Sequence, residues 1–213
     1  MGVDVKICGL STPEAVKAAA VGGARYIGFV FFPASPRFVK PAVAAALGGC
    51  VPDSVIRVGL TVDADDATLA EIAGTADVAR LQLHGRETPE RVAEVRRRFG
   101  LPVIKACPIA GPHDVTAARP YEDVADMLLF DARPPAGADR PGGNALSFDW
   151  RLLSDAGWCR PWMLAGGLTA ANLADAVRQS GAGAVDVSSG VEDRPGVKSV
   201  PKIREFLRVA ARC

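Results

Sequence analysis

The chain has 213 residues, room for one large domain or two small ones, and 49% of them are apolar, which allows a sizeable core. Its 25 basic and 24 acidic residues nearly cancel, leaving no electrostatic footprint for nucleic acid or an anionic membrane. The longest apolar runs are too short to span a bilayer, and no signal peptide is visible at the start.

In chain order, short apolar runs alternate with amphipathic ones. VDVKIC (3–8) reads as a strand and PEAVKAAAVGG (13–23) as a helix; RYIGFVFF (25–32) and KPAVAAALGG (40–49) follow. SVIRVGLTV (54–62) precedes DDATLAEIAG (65–74), DVARLQL (77–83) precedes TPERVAEVRRRFG (88–100), and LPVIKAC (101–107) precedes PHDVTAARP (112–120). DMLLFD (126–131) leads to FDWRLLSDAG (148–157), RPWMLAGG (160–167) to TAANLADAVRQSG (169–181), and AVDVSS (184–189) to VPKIREFLRVAARC (200–213). Several helical runs start with Ser, Thr or Asp before Pro or an acid, and several end in Gly.

Strict alternation of this kind predicts parallel strands joined by crossover helices. Eight such units in about 210 residues fit an α/β fold closed as a (β/α)8 TIM barrel at the short end of its size range. No break in composition divides the chain, so residues 1–213 are expected to form one phosphate-binding domain. The Gly- and Pro-rich stretch 132–147 after strand six reads as an active-site loop.

In such a barrel the site lies at the C-terminal strand ends. Alternation of side chains predicts Lys6 and Cys8 inside, with Val5 and Ile7 under the helices. The same count turns Arg80, Gln82 and His84, Lys105 and Cys107, Leu129 and Asp131, and Asp186 and Ser188 inward. Buried charges need partners, so these residues are open between a paired ionic layer of Lys6 and Lys105 with Asp186 that only supports the fold and, at the mouth, a functional role. Taken alone, Cys8 is open between a thiol that fills space and one that faces a ligand. Asp131 is likewise open between turn and acid, Arg37 between surface charge and ligand contact, and His84 between wall and site. Asp63 reads as a turn or helix-start residue. AGGLT ends strand seven and SSGVE ends strand eight; Gly166, Gly167, Ser188, Ser189 and Gly190 would let backbone N–H groups and hydroxyls approach a phosphate.

Five cysteines, at 8, 50, 107, 159 and 213, are an odd and irregularly spaced set, and His84 and His113 lie in no metal-ligand motif. These features predict a reduced, cytoplasmic protein with no metal.

VKICGLST, GFVFFPASPRFV, LQLHG, LLFDA with PGGNALSFDW, LAGGLTAANL and VDVSSGVEDRPGVKSVPKI, in that order from residue 5 to about 206, resemble the motifs of phosphoribosylanthranilate isomerases. The resemblance implies a cofactor-free isomerase of tryptophan biosynthesis. Its acid/base Amadori rearrangement converts an N-linked phosphoribosyl aminoaldose to an aminoketose phosphate. It implies Cys8 as general base and Asp131 as general acid. It also implies Arg37 at the anthranilate end, with Gly166, Gly167, Asp186, Ser188, Ser189 and Gly190 around the phosphosugar and His84 beside it. A monomer or homodimer is expected. Ring opening calls for a proton at the ring oxygen, and the protonated Schiff base that results lets a modest base take the neighbouring proton. Lys6, about 6.5–7 Å along the strand from Cys8, is expected to favour the thiolate. The family commonly carries GG-[ST]-GK-[ST]-FDW after strand six, where this chain has GGNALSFDW, so Ala145 and Leu146 replace a glycine and a lysine. The alternatives are a phosphosugar-binding barrel without catalysis and a different phosphosugar aldose–ketose isomerase. In the histidine-pathway isomerase an aspartate would stand where this chain has Cys8.

Overall fold

The computed structural model describes residues 2–133, 147–154 and 156–213. The expected loop 132–147 falls almost wholly outside them, as do Ala145 and Leu146. Eight parallel strands close into a barrel in sequence order. They are β1 (Asp4–Cys8), β2 (Tyr26–Val30), β3 (Ile56–Thr61), β4 (Arg80–Leu83), β5 (Val103–Ile109), β6 (Met127–Ala132), β7 (Trp162–Leu164) and β8 (Ala184–Val187). Around them run α1 (Pro13–Val21), α2 (Pro41–Gly48), α3 (Asp66–Thr75), α4 (Pro89–Phe99), α5 (Pro112–Ala118), α6 (Arg151–Ser154), α7 (Leu173–Ser180) and α8 (Val200–Ala210). Among the described residues no helix is long and apolar enough to cross a membrane.

Side chains satisfy the first free N–H groups of some of the helices. Thr12 caps α1 by accepting from Ala15 N, and Thr88 caps α4 by accepting from Arg91 N; Pro follows each cap, where its missing N–H costs nothing. The strands are covered on both faces, which is why β2 is buried at all five positions. The outer face packs a large core of strands against helices, including Val5, Ile7, Phe29, Leu81 and Phe130. The lumen is filled by a second cluster that includes Tyr26, Val58, Ile104, Ala106, Leu129 and Met163, so the barrel is plugged below its mouth.

The structure departs from the expected elements in three places. The helix expected over 148–157 is a single turn, α6, with Phe148 and Trp150 packed on the core beside it. The helix expected from residue 169 begins at Leu173, because Asn172 ties Thr169–Asn172 into a turn: its Oδ1 accepts from Thr169 N and its Nδ2 donates to Gly167 O. The segment after β8 is not a plain loop. It forms a 3-10 turn (Ser189–Val191) and an antiparallel hairpin of β9 (Glu192–Arg194) and β10 (Val197–Lys198).

Candidate active site

β1 closes the barrel against β8 with Lys6 opposite Asp186. The register alone brings their side chains together inside the lumen, and Lys6 Nζ donates to Asp186 Oδ1 at 2.9 Å. Lys6 is wholly buried. Burial pulls its pKa down, but Asp186 and the Cys8 sulfur more than offset that and hold the ammonium above its ordinary value. Two residues on, Cys8 turns inward at the mouth against Val30, Leu60, Phe32 and Val62. Burial pushes its thiol up; Lys6 draws it down, Asp186 raises it and Lys198 lowers it, and the net direction is upward. Lys6 thus favours the thiolate, as expected, but burial outweighs it and its carboxylate partner opposes it.

Asp131, next to last in β6, faces the same lumen as Leu129 two residues before it. Its Oδ1 accepts from Ala132 N at 2.8 Å, and its Oδ2 lies 3.3 Å from Nε2 of His84. The other ring nitrogen of His84 meets Gln82 Nε2 at 2.9 Å. With the amide donating, Nδ1 is the acceptor, and the proton of a neutral ring is on Nε2, facing Asp131. Gln82 and His84 share the inward face of β4, as the alternation count requires.

Arg37 is buried in the loop after β2, where Nε and Nη2 donate to the two oxygens of Glu192 at 2.7 and 2.9 Å. It is not an ordinary surface charge. Glu192 also accepts from Lys198 Nζ at 2.7 Å, and burial and these cations act against each other on its carboxyl, the cations winning and holding it low. Lys198 Nζ also donates to Ser188 O and Oγ, and Ser188 Oγ donates to Cys8 O. Ser188 is thus occupied within the protein, whereas Ser189, Gly190, Gly167 and Thr169 border an open cleft of about 550 Å³ between the loops after β7 and β8. Gly190 is pressed onto Leu168 O so closely that no β-carbon fits. Gly166 has a positive φ of 90°, and a β-carbon there would lie 3.2 Å from Asp131 Oδ1. Its glycine keeps the β7 loop against the carboxyl.

One inward assignment is overturned. Ile104 and Ala106 line the lumen, so Lys105 and Cys107 point out towards the helices. Lys105 pairs with Glu87 at 2.7 Å and donates to Gly85 O at 2.8 Å, not to Asp186. β5 runs on to Ile109, so Cys107 is not the strand's last residue and counting back from it inverted the faces. Burial pushes the Cys107 thiol up to about 12, an inert packing thiol. Asp63 sits in a tight turn with φ 47°, its Oδ1 accepting from Arg86 N, as its sequence setting suggests.

Glu192, Lys198 and Glu87 carry much of this electrostatics, and none was singled out by sequence reasoning. Glu192 lay within a motif, SSGVE, whose glycine and serines drew the attention; Lys198 follows it in a segment whose hairpin has no strong strand signal. Among the described residues, no group of three or more His, Cys, Asp and Glu is arranged to hold a metal ion.

Comparison with known proteins gives a consistent result. A family model described as N-(5'phosphoribosyl)anthranilate (PRA) isomerase matches residues 5–209. The N-(5'-phosphoribosyl)anthranilate isomerase of Cereibacter sphaeroides is 57% identical over 209 residues, covering 98% of this chain and 99% of that one. The enzyme of Paramagnetospirillum magneticum is 56% identical over 210 residues, covering 99% and 98%. The crystal structure of phosphoribosyl anthranilate isomerase from Thermotoga maritima is similar at a TM-score of 0.88 and 33% identity, covering 99% and 100%. A phosphoribosyl anthranilate isomerase in complex with reduced 1-(o-carboxyphenylamino)-1-deoxyribulose 5-phosphate is similar at 0.85 and 32%, with the same coverage. The chain belongs to the N-(5'-phosphoribosyl)anthranilate isomerase family.

Proposed function

We infer that Cys8 and Asp131 are the base and the acid with which this chain isomerises N-(5'-phosphoribosyl)anthranilate to 1-(2-carboxyphenylamino)-1-deoxyribulose 5-phosphate, an aldose–ketose step of tryptophan biosynthesis. The observation that carries the assignment is that both side chains turn into the lumen at the C-terminal ends of β1 and β6. Asp131 in its acid form gives a proton to the furanose oxygen as the C1–O bond breaks. The anilino nitrogen supplies the electron pair, leaving a protonated Schiff base. Cys8 as thiolate takes the proton from C2, the C–H electrons flow to the iminium, and the enolamine so formed tautomerises to the aminoketose. His84, with its Nε2 towards Asp131, holds that carboxyl in place.

Arg37 has Nη1 left over after its two bonds to Glu192 and engages the carboxylate of the anthranilate. Val30, Leu60 and Phe32 beside Cys8 suit the flat ring. Backbone N–H groups of Gly166, Gly167 and Gly190 and the hydroxyl of Ser189 take the phosphate across the cleft between the loops after β7 and β8. Asp186 and Ser188 act from behind, through Lys6 and Cys8. The phosphosugar is the partner, the whole chain 1–213 is the working domain, and the cytoplasm is its compartment. The unit is a monomer or a homodimer; one structural relative is described as monomers generated from the dimeric Thermotoga maritima enzyme.

The test mixes the protein with freshly generated phosphoribosylanthranilate and follows its fluorescence. Cys8→Ala and Asp131→Ala should each cut turnover by at least about 10²–10⁴-fold, while the reduced product analogue still binds. Near wild-type rates in both variants would overturn the roles. A wild-type protein that binds the analogue and never turns over would make it a phosphosugar-binding barrel, and turnover of another aminoaldose phosphate only would make it a different isomerase.

A further inference from the structure

The charges on the Cys8 side of the mouth form one buried network. Lys6 and Asp186 neutralise each other one to one. Arg37, Glu192 and Lys198 do not: two cations share one carboxylate, and Arg37 occupies both of its oxygens. The trio therefore carries one net positive charge, with side chains of Arg37, Glu192 and Lys198 only 6%, 3% and 1% exposed. A buried excess charge is costly unless an anion answers it. Arg37 packs its aliphatic stem against Gly9, directly after Cys8, and commits two of its guanidinium nitrogens to Glu192. Lys198 meets Ser188 O at 2.9 Å and Ser188 Oγ at 3.1 Å, and that hydroxyl donates to the Cys8 carbonyl at 3.1 Å.

We propose that Lys198 is a positioning residue for the isomerisation, a buried ammonium carried on the β9–β10 hairpin that stabilises the Cys8 thiolate and, through Ser188, fixes the end of β1. The idea rests on Cys8 being the base, and adds the cation that lets a buried thiol serve as one. Its geometry follows from the hairpin. Gly196, with φ 82°, lets the turn press against the loop holding Arg37, where a β-carbon would sit 2.4 Å from Pro36 O. β10 follows this turn and carries the buried Lys198. Lys6 from β1, Asp186 from β8 and Lys198 from β10 act on the Cys8 thiol, while Glu192 from β9 and Arg37 from the loop after β2 act on Lys198. Lys198 is held by burial below its ordinary pKa, with Glu192 acting against that.

The experiment titrates the thiol itself. Thiolate ultraviolet absorbance is recorded against pH as the difference between each protein and its own Cys8→Ala counterpart. Lys198→Met should raise the Cys8 pKa by about one unit, tenfold less thiolate at fixed pH, and move the alkaline rise of kcat by the same amount. Lys198→Arg should restore most of it. Glu192→Gln removes the countercharge and should shift the thiol the other way, which loss of packing cannot do, and it serves alone where Lys198→Met does not fold. Cys8 titrating unchanged in these variants, or moving upward in both Lys198→Met and Glu192→Gln, would overturn the proposal. If Cys8→Ala keeps its turnover the base assignment fails, while the opposed titration shifts still judge whether Lys198 stabilises the thiolate.

Discussion

At Gly28 a β-carbon would lie 3.0 Å from Lys6 Nζ and 3.1 Å from Cys8 Sγ. The backbone there is ordinary strand, so the constraint is room and not conformation: the glycine leaves the notch in which ammonium and sulfur meet. Gly28→Ala should keep the fold, at a cost of about 1–3 kcal/mol for overpacking, and lose activity far beyond that cost by forcing Lys6 and Cys8 apart. Chemical denaturation and turnover measured on the same sample check this; equal losses in both would mean that the notch has no part in the chemistry. A second residue-scale contrast is Lys105. Its side chain is 3% exposed and its partner Glu87 5%. Lys105→Met strands a buried carboxylate and should cost about 3–5 kcal/mol, while the double variant with Glu87→Gln recovers much of it. Because both side chains lie outside the lumen, the Cys8 titration should not move in either.

At the scale of elements, what was legible in the sequence is what repeats. Each strand is a short apolar run and several helices carry their own start and stop signals, so β1 to β5 and α1 to α4 fall within a few residues of their expected bounds. Strand ends were legible as sites because Cys8, His84 and Asp131 follow or close apolar runs whose parity is fixed by covered outer faces. Parity failed on β5, where the strand continues two residues past Cys107 through a proline at its inward-facing position 108. Non-local pairing was beyond reach altogether. Nothing in VEDRPGVK by itself says that Glu192 meets Arg37, 155 residues away, since the contact depends on how far the hairpin turns over the mouth. The β9–β10 hairpin is too short and too polar to announce itself, yet it supplies the carboxylate and the ammonium that flank the site.

Over the whole molecule, individual carboxyls held low by neighbouring cations set the response to acid. Glu192 is the sharpest case. Its folded-state pKa is depressed below the ordinary 4.5, despite burial, by Arg37 and Lys198. A carboxyl depressed in the folded state contributes stability that is present in full above its unfolded pKa and is lost as pH falls through the folded one. Below about 4.5 the native state therefore begins to lose that contribution, and once Glu192 is protonated two buried cations face each other without a counterion. Thermal unfolding followed from pH 7 downward should show the melting temperature falling steeply in this window. Glu192→Gln should melt lower at pH 7, because the cations are already unanswered, and fall less steeply with acid, because the group that titrates is gone. A variant with the wild-type slope would assign the acid transition to the other depressed carboxyls, such as Glu122 beside Arg119, instead of to the mouth of the barrel.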